Sequence, residues 1–471
     1  MALSFDLRRA VHEVLALDAR PMARTRDLLG YLMDLLYYGE FRIVEQAGAL
    51  SGEDQTNLVG MRGPPHEEGG LLLCSSLETP GPFERSLWTE TEEDPFNPTE
   101  RDGLLFALGA AGGKVDLVCK ILAVANIERE ALRLPVYIAG FLGDDTRVSG
   151  AMQLLDSGIC RPSWALVGEP TNLEVVTAHR GLLVLQADVE ASTPAPAART
   201  GRTYRIEALG ESAHSATPHL GRNAIDLAFR SIRRMRRSGG RFSVHRMRGG
   251  EAHGRVPSRC ELLVHVPDDD FVPSGPHLVI EGIDTPDVLG PSLDNALGIW
   301  DRFMAQLHEL FRWTTPDAPE FLPATPLYNL GRVETDPSGV LRLWLDYRTL
   351  PGERTEAVLR DVEGLARRIG DGGGSIRLEV ERNLLPMSGG RDGELVRSAR
   401  DALREVGVPP VVGSYPGYAE GWIFDAARIE TAVFGPGSAL GVAHRPNEHV
   451  PLIHLERAAA FYERVIRKLC C

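Results

Sequence analysis

The chain has 471 residues, a formal net charge of −14, 43% hydrophobic residues and 25% charged residues. This composition is typical of a globular protein with a sizeable core and room for two or three domains of about 150 residues each. The acidic balance argues against nucleic acid or an anionic membrane surface as the main partner, and no apolar run reaches the roughly 18 residues of a membrane span. The N-terminus lacks a signal-peptide pattern, and the cysteines lack paired ligand spacing, so we expect a cytoplasmic protein.

Apolar periodicity predicts an alternation of helices and strands along the first 170 residues. The predicted elements are a helix around Leu28–Leu36, a strand from Gly70, a helix over Asp116–Asn126, a strand over Leu134–Phe141, a helix over about 147–157 and a strand over Trp164–Val167. Strands that alternate with helices indicate a mostly parallel α/β sheet. Side chains at the C-terminal ends of such strands lie where open α/β sheets bind ligands.

The stretch 434–451 is a loop rich in glycine and proline, entered from an apolar run that resembles a buried strand, Ile429–Phe434. Such a loop leaves backbone N–H groups able to hold an anion. It also carries an imidazole, His444, close in sequence to a carboxylate, Glu448.

Six stretches carry a family resemblance in their order and spacing. They are Leu71–Pro80, Asp102–Lys114, Gly143–Gly150, Gly168–Thr171 with Ala178–Gly181, Gly210–Ile225, and Gly435–Val450. Together they resemble the acetylornithine deacetylase, succinyl-diaminopimelate desuccinylase and carboxypeptidase G family of di-zinc peptidases and amidohydrolases. The resemblance implies an α/β, zinc-peptidase-like catalytic domain with a mostly parallel sheet, built from 1–182 and 388–471. It also implies an inserted α+β, ferredoxin-like lid or dimerisation domain over 183–387.

The inserted domain contains a degenerate internal repeat. Phe242–Asp268 resembles Leu327–Glu353, and both segments end in an alternating strand pattern followed by a turn. Two interpretations stay open: two half-lids that mimic a dimer within one chain, or one lid with an unrelated insertion. We therefore expect either a homodimer or a monomer with a pseudo-dimeric lid.

The resemblance also assigns metal positions, and two of them have lost their ligand. Ser76 stands where the family has its first histidine, and Gly112 where it has the bridging aspartate. The remaining ligand positions are held by Asp145, Glu169 and His444. Asp144 takes the position of the general base and is one methylene shorter than the usual glutamate. We expect no cofactor or one weakly bound divalent metal such as zinc, and no two-metal centre.

Substrate-recognition positions survive better. His214 corresponds to the lid histidine that stabilises an oxyanion, and Arg348 resembles the arginine near the substrate carboxylate, for which a guanidinium is well suited. A salt bridge with Asp346 or a surface location is the alternative for Arg348. Further predicted substrate contacts are Asn223, Gly435, Gly437 and Glu420, with an exposed glutamate as the alternative for Glu420.

These observations leave three hypotheses. The first is a protein with an eroded metal centre that binds an N-acyl amino acid or peptide-like carboxylate, either as a pseudoenzyme or as a metal-independent enzyme that uses its crowded carboxylates as acids. The second is a working single-metal amidohydrolase, an N-acyl amino acid deacylase or dipeptidase. The third is a structural partner of an active paralogue. Metal content separates the first two, and co-purification of a paralogous subunit supports the third.

Overall fold

A computed structural model describes residues 6–20, 25–47, 56–65, 68–79, 81–82, 84–142, 150–192, 201–250, 254–267, 272–284, 289–314, 318–370, 372–443 and 445–471. The chain divides into two compact units. The first, called here the α/β unit, comprises Met1–His179, Met387–Tyr415 and Ala419–Cys471. The second, the inserted unit, comprises Arg180–Pro386 and Pro416–Tyr418.

The first segment of the α/β unit alternates helices and strands. Its elements are α1 (Leu7–Leu15), α2 (Arg26–Tyr38), β1 (Arg42–Ala47), β2 (Thr56–Arg62), β3 (Leu71–Ser76), β4 (Thr99–Arg101), β5 (Leu104–Phe106), α3 (Gly113–Ala125), β6 (Val136–Phe141), α4 (Gly150–Ser157), β7 (Trp164–Gly168) and β8 (Val175–His179).

The inserted unit follows with strands and three longer helices. Its elements are β9 (Leu182–Ala191), β10 (Arg202–Leu209), α5 (Ala224–Arg237), β11 (Ser243–Gly249), β12 (Arg259–Val266), β13 (Leu278–Ile283), α6 (Asp294–Thr314), β14 (Leu327–Thr335), β15 (Leu341–Arg348), α7 (Thr355–Gly370) and β16 (Gly374–Leu384). The chain then returns to the α/β unit with β17 (Met387–Ser388), α8 (Glu394–Glu405), β18 (Val412–Tyr415), α9 (Gly421–Ala426), β19 (Glu430–Phe434), β20 (His449–Pro451) and α10 (Leu452–Cys470).

The main sheet of the α/β unit has the order β1-β2-β6-β3-β7-β19-β8-β17, and β18 also pairs with β8. The central neighbours β6, β3, β7 and β19 run parallel. The β1-β2, β2-β6, β19-β8 and β8-β17 pairs are antiparallel. The α/β fold expected from the sequence is confirmed, with parallel pairing concentrated at the centre of a mixed sheet.

Strand β3 shows why this sheet lies inside the unit. Leu71 and Leu73 belong to the core formed with α1, α2, α3, α8 and α10. Leu72 and Cys74 belong to the core formed with α4 and α9 on the other face. A strand buried on both faces has a continuous apolar sequence, which is the pattern that predicted it. None of the helices in the described ranges combines the length and apolar character that a bilayer span requires.

The inserted unit contains one antiparallel sheet built from two similar halves. Counted outwards from the centre, the orders are β11-β12-β10-β13 and β14-β15-β9-β16. The halves meet where β11 pairs with β14 at Gly249 and Val333. The strand register shifts in the first strand of each central hairpin. The shift lies between Val244 and Arg246 in β11 and between Leu330 and Arg332 in β14. The segments Phe242–Asp268 and Leu327–Glu353 provide these two hairpins, and α5, α6 and α7 complete the core.

Candidate functional site

Three neighbouring parallel strands of the α/β unit end at one edge of the sheet, next to predicted site residues. Strand β3 ends at Ser76, β7 is followed by Glu169, and β19 is followed by Gly435. Because β7 pairs with both β3 and β19, the three positions follow adjacent strands. This carboxyl edge is where open α/β sheets bind ligands.

Helix α3 begins at the same edge, packed against the end of β3. Gly112 precedes the first helical residue, Gly113. A Cβ added to Gly113 would collide with the carbonyl oxygen of Ser76, and one added to Gly112 would lie 3.2 Å from the carbonyl oxygen of Gly109. The backbone is therefore closely packed where α3 begins and where β3 ends.

The described residues at this edge do not fit a two-metal centre. Ser76 offers a hydroxyl and Gly112 offers no side chain, where such a centre needs an imidazole and a bridging carboxylate. Glu169 follows β7 as predicted. Outside the described residues lie Asp144, Asp145 and His444. Within the described ranges, no three His, Cys, Asp or Glu side chains are grouped so that they could hold an ion.

The glycine loop after β19 is bonded to the loop after β7. The N–H of Gly435 donates to Thr171 Oγ1 at 3.1 Å, and the N–H of Asn172 donates to the carbonyl oxygen of Gly437 at 2.7 Å. Gly437 has a φ of +80°, and a Cβ there would lie 3.3 Å from Ala111. Since the protein itself uses the N–H of Gly435, this group is not available for the predicted anion contact, and a contact at Gly437 stays a prediction.

Two buried charges lie around the start of α3: Glu448, from the loop after β19, bonds to the loop before α3, and Lys114 of α3 bonds to the segment after α1. Glu448 is 2% exposed, and its Oε1 accepts the N–H of Ala111 at 2.9 Å. Lys114 Nζ donates to the carbonyl oxygen of Leu17 at 2.9 Å. Burial lowers the pKa of Lys114 to about 8, against the opposing effects of Glu448 and Asp18. Lys114 ends one of the stretches that carry the family resemblance, which is a signal for its importance, but sequence reasoning did not predict its burial.

In the inserted unit, His214 and Arg348 both lie beside Ser215. Arg348 is buried, and its Nη2 donates to Ser215 Oγ at 2.7 Å. His214 Nδ1 accepts the N–H of Ala216 at 3.0 Å. The neutral ring therefore carries its proton on Nε2. An N–H of this kind is the donor that oxyanion stabilisation requires.

Asp346, two residues before Arg348, is fully buried. Its Oδ2 accepts the N–H of Gly254 at 2.7 Å. Its Oδ1 has no hydrogen-bond partner in the part of the chain that the structure describes. A Cβ added to Gly254 would meet open space. Because Arg348 is only 2% exposed, the surface location considered from the sequence is wrong.

Two predicted substrate contacts have clear structural surroundings. Asn223 caps α5, since its Oδ1 accepts the N–H of Ile225 at 2.9 Å, and its Nδ2 donates to Asn329 Oδ1 at 2.9 Å. The oxygen of this amide caps α5 and its nitrogen bonds to β14, so Asn223 links the two elements. Glu420 precedes α9 and is 3% exposed, so the exposed glutamate considered from the sequence is wrong. The substrate roles of both residues stay predictions.

A cleft of about 640 Å³ lies in the α/β unit beside the β4-β5 hairpin and the loop that leads from β19 to β20. Its lining includes Arg101, Asp102, Arg445 and His449. This volume falls within the usual size of small-molecule sites. Apolar side chains, among them Leu104 and Phe106, complete the lining.

The curated relatives found by sequence include acetylornithine deacetylases. The enzyme of Photorhabdus laumondii is 33% identical over 221 residues, which cover 44% of this chain and 50% of the relative. The enzyme of Yersinia pseudotuberculosis is 29% identical over 270 residues, which cover 53% of this chain and 62% of the relative. The chain thus spans about half the length of the curated relatives it matches.

Solved structures match nearly the whole chain at low sequence identity. A metallo-carboxypeptidase of the M20 family from Sulfolobus solfataricus has a TM-score of 0.62 at 15% identity and covers 99% of both chains. An aminoacylhistidine dipeptidase from Vibrio alginolyticus has a TM-score of 0.60 at 16% identity, covering 97% of this chain and 96% of the other. These likenesses show the fold. The sequence profile of peptidase family M20/M25/M40 matches residues 82–468, and the chain belongs to that family, as its sequence resemblance predicted.

Proposed function

We propose that this protein binds an N-acyl amino acid or a peptide-like carboxylate ligand without ordinary two-metal hydrolysis. The observation that carries the proposal is the pair Ser76 and Gly112, at the end of β3 and immediately before α3. A bridging carboxylate holds both ions of a two-metal centre, and a glycine cannot replace it. The loss of this bridge and of an imidazole removes two of the groups on which two-metal hydrolysis depends.

The proposed ligand class rests on the inserted unit. The buried guanidinium of Arg348 is suited to a ligand carboxylate, and the Nε2–H of His214 is suited to a carbonyl oxygen. The similar proteins include acetylornithine deacetylases and an aminoacylhistidine dipeptidase, whose names describe an N-acyl amino acid and a peptide as their substrates. These names support the same class of ligand for this chain.

Metal content tests the proposal directly. The protein is loaded with excess zinc, passed through a desalting column and measured by elemental analysis. We expect less than one ion per chain, because two ligand positions are empty. The matched control is the Ser76→His/Gly112→Asp double variant, which restores both ligand types and is expected to retain more zinc. Two ions per chain in the unmodified protein would contradict the proposal.

Ligand binding is tested by calorimetry with Nα-acetyl-L-ornithine and a short dipeptide. We expect Arg348→Met to weaken binding by about tenfold or more, since it removes charge-assisted hydrogen bonds. The matched control is Arg342→Met, which changes an arginine of the same strand whose partner is Asp188 at 2.8 Å. Equal losses in both variants would remove the support for Arg348 as the carboxylate contact.

The second candidate is a single-metal amidohydrolase. The observation that favours it is Glu169, which is retained directly after β7 in a chain 33% identical to a deacetylase over its matched part. Its test is one bound zinc ion per chain together with release of acetate from Nα-acetyl-L-ornithine. Both should be lost in Glu169→Gln, and hydrolysis that persists in this variant would contradict the single-metal assignment.

We also propose that the inserted unit is a pseudo-dimeric lid and that the chain is a cytoplasmic monomer. The matching orders of its two half-sheets support the first part. All six cysteines are free, which is consistent with a reducing compartment. Light scattering should give a mass near 51.5 kDa, and a dimeric mass would contradict the monomer.

A further inference from the structure

Helix α3 is buried along nearly its whole length, yet it carries a pair of opposite charges. Asp116 is 1% exposed and Lys120 is 0% exposed. They are four residues apart on the helix, and Lys120 Nζ lies 2.6 Å from Asp116 Oδ2. The surrounding positions of the helix are apolar, so an apolar pair would have completed the core in the ordinary way.

The pair is linked to the end of β3. Ser75 Oγ donates to Asp116 Oδ2 at 2.7 Å. Lys120 Nζ donates to the carbonyl oxygen of Cys74 at 2.7 Å and lies 3.1 Å from Ser75 Oγ. These contacts fix the two residues that precede Ser76.

The same pair reaches the two neighbouring strands. Lys120 Nζ lies 3.3 Å from the carbonyl oxygen of Leu166 in β7. The hydroxyl of Tyr462, a buried residue of α10, donates to Asp116 Oδ1 and lies 3.1 Å from the carbonyl oxygen of Phe434 in β19. Burial has the larger effect on the pKa of Tyr462 and the charge of Asp116 the next larger. Both raise this pKa well above its usual value, which keeps the hydroxyl protonated.

Two glycines at the strand ends leave room for the carboxylate. A Cβ added to Gly168 would collide with Asp116 Oδ2. One added to Gly435 would lie 3.1 Å from Asp116 Oδ1. The carboxylate of Asp116 therefore lies directly against the backbone that leads into Glu169 and into the glycine loop.

A buried ion pair is a poor means of gaining stability, because the cost of removing two charges from water offsets their attraction, and an apolar pair often does as well or better. Its directional bonds instead fix geometry. We propose that Asp116, Lys120 and Tyr462 are positioning residues that hold the ends of β3, β7 and β19 in place at the site edge. The importance of this edge for ligands rests on the proposed function, whereas the positioning itself does not.

The test is native-state amide hydrogen exchange on the full chain. The main variant is Tyr462→Phe, which removes only a hydroxyl. The matched control is Tyr347→Phe, which removes a buried hydroxyl bonded to Glu353 at 2.8 Å in the inserted unit. The reporting amides are Leu77, Thr171 and Gly435, all of which are hydrogen-bonded at the edge.

We expect Tyr462→Phe to speed exchange at Gly435 by about three- to tenfold, the equivalent of one lost hydrogen bond, with no change at amides of β2. Tyr347→Phe should leave the edge amides unchanged. An equal acceleration in β2 would overturn the proposal by showing a global effect, and an unchanged Gly435 would overturn it as well.

A second variant keeps the test decisive if Tyr462→Phe does not fold. Ser75→Ala removes the hydroxyl bond between β3 and Asp116, and it should speed exchange at Leu77 more than at Gly435. The reverse order, or equal effects, would overturn the proposal. Titration of the same variants with Nα-acetyl-L-ornithine separates the two claims, because local exchange changes without any ligand binding by the unmodified protein would contradict the proposed function alone.

Discussion

The two units bury charged side chains beside their predicted site residues, but they satisfy those charges differently. In the α/β unit, Asp116 and Lys120 are bonded to each other, to Ser75 and to strand carbonyls. In the inserted unit, Asp346 is equally buried, yet its Oδ1 has no partner in the described ranges. The charges of Asp116 and Lys120 are thus compensated by groups of the protein itself, which suits residues that hold the strand ends in place. Asp346 keeps one buried acceptor that no protein group in the described ranges satisfies, so the two units differ in how far the protein itself compensates its buried charges.

The strongest test of this contrast removes one charge from the buried pair Asp116 and Lys120. We expect Lys120→Met to lower the free energy of unfolding by about 3–5 kcal/mol, because it leaves Asp116 as an uncompensated buried charge. Urea denaturation measures the loss. The control is Asp116→Leu/Lys120→Leu, which should be less destabilised than Lys120→Met, because it leaves no uncompensated charge, although the hydroxyls of Ser75 and Tyr462 lose the carboxylate as their acceptor. A small loss in the single variant would show that the cluster is not as desolvated as its burial indicates.

The second test concerns the packing of α3 against β3. Gly113→Ala should lower the free energy of unfolding by about 1–3 kcal/mol, because the added Cβ collides with the carbonyl oxygen of Ser76. The matched control is Gly30→Ala in α2, where a Cβ meets nothing within 4 Å. This change should raise the stability by about 0.5–1 kcal/mol, as alanine does within a helix. Similar effects in the two variants would contradict the close contact at the edge.

The third test addresses the inserted unit. Ser215→Ala should cost about 1–2 kcal/mol, because it removes the oxygen that accepts from the buried guanidinium of Arg348. Chemical denaturation again gives the value. Ser338→Ala is the control, since that hydroxyl bonds to Asp336 at an exposed turn and should contribute less than about 0.5 kcal/mol. If the two losses are equal, the bond to Arg348 adds nothing beyond a surface contact.

The smallest expected effect is a pH dependence in the inserted unit. Burial lowers the pKa of His245, whose Nδ1 lies 3.1 Å from the carbonyl oxygen of Gly290. The folded state therefore binds a proton less readily than the unfolded state, so this contribution to stability is present above the unfolded pKa of 6.5 and is lost as the pH falls below it. Denaturation at pH 7.5 and 5.5 should show a smaller difference for His245→Gln than for the unmodified protein. An unchanged difference would exclude His245 as a source of the dependence.

The sequence was sufficient for the parts of the fold that follow from apolar pattern. The runs that became β3, β6 and β7 are apolar on both faces, because helices cover both sides of the sheet. The family resemblance then supplied the order of the strand ends and the positions of Ser76 and Gly112. These predictions depend on local pattern and matched spacing, which a single sequence contains.

The buried polar groups were harder to predict, because their partners are distant in sequence. Asp116 and Lys120 have the spacing of a solvent-exposed helical pair, and only the folded chain places Tyr462 beside them. For Glu420, the exposed location considered as the alternative to a substrate contact failed for the same reason, since the packing that buries it comes from distant parts of the chain. The N–H of Gly435 was expected to be available, but a hydroxyl 264 residues away accepts it.

The nesting of one half-sheet within the other has a consequence for synthesis on the ribosome. Strand β9 precedes the first half in the chain but pairs with β15 and β16 of the second half. The first half, from β10 to β13, is continuous in sequence, whereas the second is interrupted by it. We expect the first half to assemble as soon as β13 has emerged, while β9 waits without its final partners until β15 is made. A half-sheet whose strands lie in the chain between the strands of the other half thus sets an order of events for the nascent chain.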